Sequence, residues 1–158
     1  MAKIYETENF ILESHDSPHV TRMDWWHIKI SPKIEIVDRS NLTISQAKEL
    51  MRLTMLSWEA YILWMKKSWI KIERINYQDN WNWAYKKDKY NAKPHLHIHL
   101  YWRVLEWERA LPDALFFPHK ETWFYDSFEP LTKKDIDNIK NEILILENTE
   151  KYDCRKWE

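Results

Sequence analysis

A chain of 158 residues that contains no glycine has to make every turn, helix end and close backbone approach with a Cβ in place. Glycine enters left-handed backbone conformations without steric cost, and at an average usage of about 7% a chain this long holds roughly 11 of them. This chain holds 11 tryptophans instead. Several stand where local chemistry asks for glycine. Trp69 follows Lys67-Ser68 at the end of an expected helix, the usual place for a terminating glycine. Trp81 follows Asn80, where an Asn-Gly turn would be natural. Trp123 follows Glu121-Thr122 in a turn-like stretch. A bulky residue at positive φ is an outlier. The expectation is therefore that tryptophan occupies glycine positions, as it would if UGA codons meaning glycine had been read as tryptophan.

The remaining composition is ordinary. At 44% hydrophobic and 31% charged residues, the chain fits one domain over 1–158 with a real core. A net charge of −1 argues against coating nucleic acid, which needs a strongly basic face. It leaves room for one small anion in a local pocket. The lone cysteine, Cys154, cannot form an internal disulfide. No apolar run approaches the ~20 residues of a membrane span, and the first residues lack a signal-peptide pattern. A cytoplasmic location with no membrane partner is the expectation.

Strand and helix periods alternate along the chain. Residues 9–13 form a short apolar run, and 27–31 alternate polar and apolar, as a half-buried strand does; Pro32 should end it. A helix is expected to start at Asn41 or Thr43 as N-cap. It runs through Ala47, Leu50, Met51, Thr54, Trp58, Tyr61 and Ile62 to Lys66-Lys67. Residues 70–77 and 95–101 alternate again, and 78–91 read as a polar loop. A second helix opens at Thr132, with Asp135 three residues on and Ile136, Ile139, Ile143 and Leu146 as its apolar stripe. Separated helices and antiparallel strands imply an α+β fold.

Three of the seven histidines fall at 95, 97 and 99. On a strand, alternate residues share a face, so three imidazoles would line one side while Leu96, Ile98 and Leu100 enter the core. Spacing alone leaves three readings open. Imidazoles at alternate positions can share a zinc or copper ion. A neutral imidazole can attack phosphorus and split one hard displacement into two easier ones. Or the strand is simply polar on its outer face. His15, His19 and His119 lie in polar or Pro-adjacent segments and read as incidental, as does the charged run Lys86-Lys87-Asp88-Lys89.

The apolar interleaving adds to this. His95-Leu96-His97-Ile98-His99-Leu100-Tyr101 resembles the histidine-triad signature, His-φ-His-φ-His-φ-φ with φ apolar. His27, leading through Ile28-Lys29-Ile30-Ser31 to Pro32-Lys33, is similar to the family's earlier block. Gln78 stands where many members carry a phosphate-binding turn, and Arg103 follows the triad as a basic residue often does. The likeness covers roughly 21–103; residues 116–131 resemble, more weakly, the tail of a bacterial diadenosine-polyphosphate-hydrolase-like branch. The resemblance implies an α+β domain with an antiparallel sheet of about five strands, a long helix and a C-terminal helix, 104–158 being an extension. It implies that His97 attacks the α-phosphorus of a dinucleoside polyphosphate or nucleoside phosphoramidate and forms a nucleotidyl-histidine. His99 would contact the phosphate or leaving side, His95 would orient the nucleophile, and His27 would complete the cluster. Gln78, Asn91 and Arg103 would bind substrate. It implies a small nucleotide as partner, a homodimer, and no metal or other cofactor. The alternatives are a metal-binding module on His95, His97 and His99, or a nucleotide-binding protein without catalysis. Family glycines also lie before His27 and after the triad, where this chain has Trp25-Trp26 and Trp102. Real tryptophans at 26, 81 and 102 would crowd the site.

Overall fold

The computed structural model describes residues 1–20, 22, 27–70, 72–79, 93–104 and 123–157. Five antiparallel strands, β1 (Lys3–Glu6), β2 (Phe10–Ser14), β3 (His27–Pro32), β4 (Ile72–Gln78) and β5 (Ile98–Val104), form one sheet in the order β1-β2-β3-β5-β4. Two helices, α1 (Ile44–Lys67) and α2 (Lys133–Glu147), pack against each other and against one face of the sheet. This is the expected α+β architecture.

Alternation decides which face is which. Phe10 and Leu12 of β2, Ile28 and Ile30 of β3, and Ile98, Leu100 and Trp102 of β5 are all buried. They meet Leu53, Leu56, Ala60 and Tyr61 of α1 and Ile139 and Ile143 of α2. Burying a side chain of this size stabilises the fold by about 1.5–3 kcal/mol. Trp102 therefore lies in the core and not in the site: its ring stacks on Tyr61 with centroids 3.9 Å apart. The expected crowding at this position does not occur, because position 102 falls on the helix side of the strand. Trp25, Trp26 and Trp81 lie outside the described residues, as do Asn91, His119 and the charged run at 86–89.

The helix ends follow their sequence signals. Thr43, not Asn41, caps α1: its hydroxyl accepts from the Gln46 N–H (3.2 Å), and the Gln46 side chain accepts from the Thr43 N–H (3.0 Å). At the other end, Trp69 adopts φ 60°, alone in positive φ among the described residues. The Ile70 N–H reaches the Met65 carbonyl (3.0 Å) and the Trp69 N–H the Lys66 carbonyl (3.1 Å). That is the Schellman pattern, with tryptophan in the glycine position and its side chain 95% exposed. Thr132 and Asp135 cap α2 in the same reciprocal way as α1.

β1 was not expected from the sequence; it pairs with β2 at the sheet edge. Nor does the last strand start at His95. The Leu96 N–H bonds the carbonyl of Ile36 in the segment after β3 (2.7 Å), and the chain enters the sheet only at Ile98. Pro94, which has no N–H, sits in this approach. The chain is secured near its far end by Arg52, a buried residue of α1, which donates to the Tyr152 carbonyl (2.8 Å) and to Glu147 (3.1 Å). The Tyr5 hydroxyl donates to the same carboxylate. Among the described residues, no helix is long and apolar enough to cross a membrane.

Candidate functional site

Directly paired residues on antiparallel strands point to the same face. On the face away from the helices, one rank across the sheet runs Glu13, Lys29, His99, Gln78, and the next runs His27, Tyr101, Asn76. The sheet register thus puts His27 and His99 diagonally beside each other and places Gln78 next to His99. Lys29 is committed to Glu13 (2.9 Å).

His27 Nε2 lies 2.6 Å from His99 Nδ1, and both rings are buried. The direction of this hydrogen bond follows from its neighbour. The backbone N–H of His19 donates to His27 Nδ1 (3.1 Å). A main-chain N–H can only donate, so His27 Nδ1 is unprotonated and the ring proton is on Nε2. His27 Nε2–H then donates to His99 Nδ1, which leaves His99 with its own proton on Nε2. Both imidazoles are held well below their ordinary range. Burial is the main cause for each; the next is mutual repulsion, with His99 for His27 and with His97 for His99. Both are neutral at neutral pH, as this hydrogen-bond chain requires.

His97 is oriented differently. Its Nδ1 lies 2.7 Å from the main-chain carbonyl of His95. A carbonyl only accepts, so Nδ1 carries the proton and the lone pair is on Nε2. The His97 ring stands edge-on to His99, with centroids 4.8 Å apart. A half-buried imidazole with a free Nε2 lone pair therefore sits beside one that presents Nε2–H. The first is a nucleophile's arrangement and the second a proton donor's. His95 enters through its carbonyl, and its own imidazole is lowered by burial and then by His97.

The sequence reading missed part of this cluster. His15 and His19, read as incidental, lie against His27 with centroids 4.9 and 4.7 Å away. Tyr101, read as one of the apolar signature positions, stacks on His27 (4.7 Å), and its hydroxyl lies 2.8 Å from His19 Nδ1. The segment carrying His15 and His19 joins β2 to β3. It is fastened at Arg22, whose N–H donates to the Glu129 carbonyl (2.9 Å) and whose side chain pairs with Asp135 (2.5 Å) at the start of α2. Burial alone would raise the Asp135 carboxyl, but hydrogen bonds from Arg22 and Thr132 outweigh it and hold the group below the ordinary carboxylate value. The one available signal was the number of histidines in a short stretch, 15, 19 and 27; spacing could not show that they converge. Of the expected substrate-binding residues, Gln78 lies beside His99, Asn91 is outside the described residues, and Arg103 lies in β5 opposite Arg74.

The fold has a counterpart among solved structures. A hypothetical histidine triad nucleotide-binding protein from Sulfolobus tokodaii superposes with a TM-score of 0.56 at 19% identity, over 96% of this chain and 88% of that one. The chain has the histidine-triad fold. At that identity the histidine-triad likeness is one of fold. The C. elegans NitFhit protein also matches, at 18% identity over 93% of this chain and 27% of its own, but its TM-score of 0.42 adds nothing to the assignment. No protein-family model matches this chain. No curated protein matches it.

Proposed function

We propose that this chain is a nucleotide hydrolase or nucleotidyl transferase that works through His97. The observation that carries the reading is the pair of opposite protonation patterns at adjacent imidazoles. His97 Nδ1–H is bound to the His95 carbonyl, and His99 Nδ1 accepts from His27. The nucleotide-binding description of the S. tokodaii protein agrees with it.

In the first step the His97 Nε2 lone pair forms a bond to the α-phosphorus, and the bond from that phosphorus to the leaving group breaks. The leaving group departs with its electron pair and accepts a hydrogen bond from His99 Nε2–H, which eases its new negative charge. The positive charge that develops on His97 is eased by its Nδ1–H on the His95 carbonyl. In the second step the oxygen of a water molecule bonds to phosphorus and its proton passes to solvent. The phosphorus–nitrogen bond breaks, and the nucleoside monophosphate leaves a neutral His97. Gln78, paired with His99 across the sheet, would hydrogen-bond the phosphate or leaving group. Dinucleoside polyphosphates and nucleoside phosphoramidates are the substrates this chemistry fits, and no step needs a metal.

The test is incubation with a diadenosine polyphosphate and with adenosine phosphoramidate, wild type beside His97→Ala. The expected result is turnover by the wild type alone and an adenylyl group trapped on His97. Equal turnover by the two proteins sinks the mechanism. Nucleotide binding without turnover would leave a binding protein with this fold.

A further inference from the structure

The histidines behind the nucleophile outnumber what the proton chain needs. His27, His99 and the main-chain N–H of His19 suffice to set the protonation of His99, yet His19 also brings a third imidazole to them. A ring nitrogen from each of the three lies within 4.8 Å of the others. We propose that His19, His27 and His99 bind one divalent transition-metal cation of the zinc class. The site rests on this side-chain cluster and not on the nucleotidyl chemistry. It differs from the alternating set 95, 97 and 99, of which only His99 belongs to it.

The donor set selects the class of ion. Three imidazoles with no carboxylate among them suit zinc, copper or nickel and fit magnesium and calcium poorly, because those hard cations require oxygen. Zinc–nitrogen bonds of about 2.0–2.1 Å place two nitrogens of a tetrahedral site roughly 3.4 Å apart. The 2.6 Å contact between His27 and His99 has to open, and the widest separation has to close by about an ångström and a half. Ring rotations supply movements of this size. Ligating histidines hand their other nitrogen to an outer partner; for His19 the hydroxyl of the buried Tyr101 stands at Nδ1.

Binding changes the protonation of His27. With His27 Nε2–H donating to His99, neither nitrogen of that contact is fully available. When Nε2 takes the metal, the ring proton moves to Nδ1, and Nδ1 gives up the hydrogen bond from the His19 amide. One nitrogen–hydrogen bond breaks, another forms, and no proton leaves the ring. The metal-bound cluster and the His27–His99 hydrogen bond therefore exclude each other.

Zinc chloride titrated calorimetrically into chelator-stripped protein, without nucleotide, tests this. One equivalent should bind per chain, and magnesium should produce no signal. His19→Ala should weaken zinc at least tenfold and Tyr101→Phe roughly tenfold, with both variants melting cooperatively, while His95→Ala binds as the wild type does. In nitrogen-15 imidazole spectra, zinc should move the His27 proton from Nε2 to Nδ1. Absence of zinc binding overturns the proposal. So does binding that survives His19→Ala but is lost in His97→Ala, because the ion then sits on the triad. Because nucleotide turnover is not measured, a failure here is separate from a failure of the proposed hydrolysis.

Discussion

On one side of β5, Ile98, Leu100 and Trp102 press into α1 and α2; on the other, His99 and Tyr101 meet His27, His19 and His15. The same alternation builds both faces, but different physics holds them. The helix side is fixed by area removed from water and tolerates any shape that fills it. The histidine side is fixed by direction: each ring is locked by what its neighbour can donate or accept. A small displacement on the first side costs packing, whereas one on the second changes which nitrogen carries a proton.

The largest expected effect separates the faces by function. His97→Ala should lower turnover by on the order of 10³-fold or more, with the melting temperature nearly unchanged, because the half-buried ring serves chemistry and little packing. Steady-state rates and a thermal melt on one sample check both halves. Trp102→Ala should do the reverse. It should cost about 3–5 kcal/mol of unfolding free energy in urea, through the emptied stack on Tyr61. A loss below about 1 kcal/mol would mean the two faces do not differ as described.

Acid should loosen the histidine side first. The Asp135 carboxyl sits below its ordinary value in the folded protein, so its contribution to stability is present above about pH 4 and fades as pH falls through the folded value. The buried neutral imidazoles of His27 and His99 act earlier: their folded values are lowered, so stability falls as pH drops below about 6.5, and the segment holding His19 should begin to detach there, visible as lost His19 contacts in spectra. Arg22→Ala should flatten only the part of this profile below about pH 4, where Asp135 titrates. The smallest change lies on neither face. Trp69→Gly should stabilise the protein by about 1 kcal/mol, because the αL position at the end of α1 then carries no Cβ. A destabilised variant would show that the exposed indole contributes more than its backbone costs.

Periodicity made most of the frame readable. The stripe of α1, the Thr132–Asp135 cap and the alternation in β3 and β4 are local patterns, and local patterns survive folding. β1 escaped because four residues at a sheet edge, largely open to water, carry little pattern. The start of β5 escaped because the partner of Leu96 is Ile36, about sixty residues away. His27, His97 and His99 were legible through the signature, and the register sets the first and last of these side by side. His15, His19 and Tyr101 were not, because no spacing reveals that a strand connection folds back over a sheet. The tryptophans divide similarly. Trp69 takes the glycine conformation expected of it, Trp102 packs as a core aromatic, and Trp123 is exposed without positive φ.

The buried guanidinium of Arg52 ties the fold to residues 147–152. It leans on the Tyr152 carbonyl and on Glu147, so a protease that clips the chain before residue 147 strands a charge in the interior, a loss of roughly 3–5 kcal/mol. A molecule nicked there would unfold more often and be degraded sooner than an intact one. The same contact thereby makes the lifetime of the fold depend on residues 147–152 staying attached.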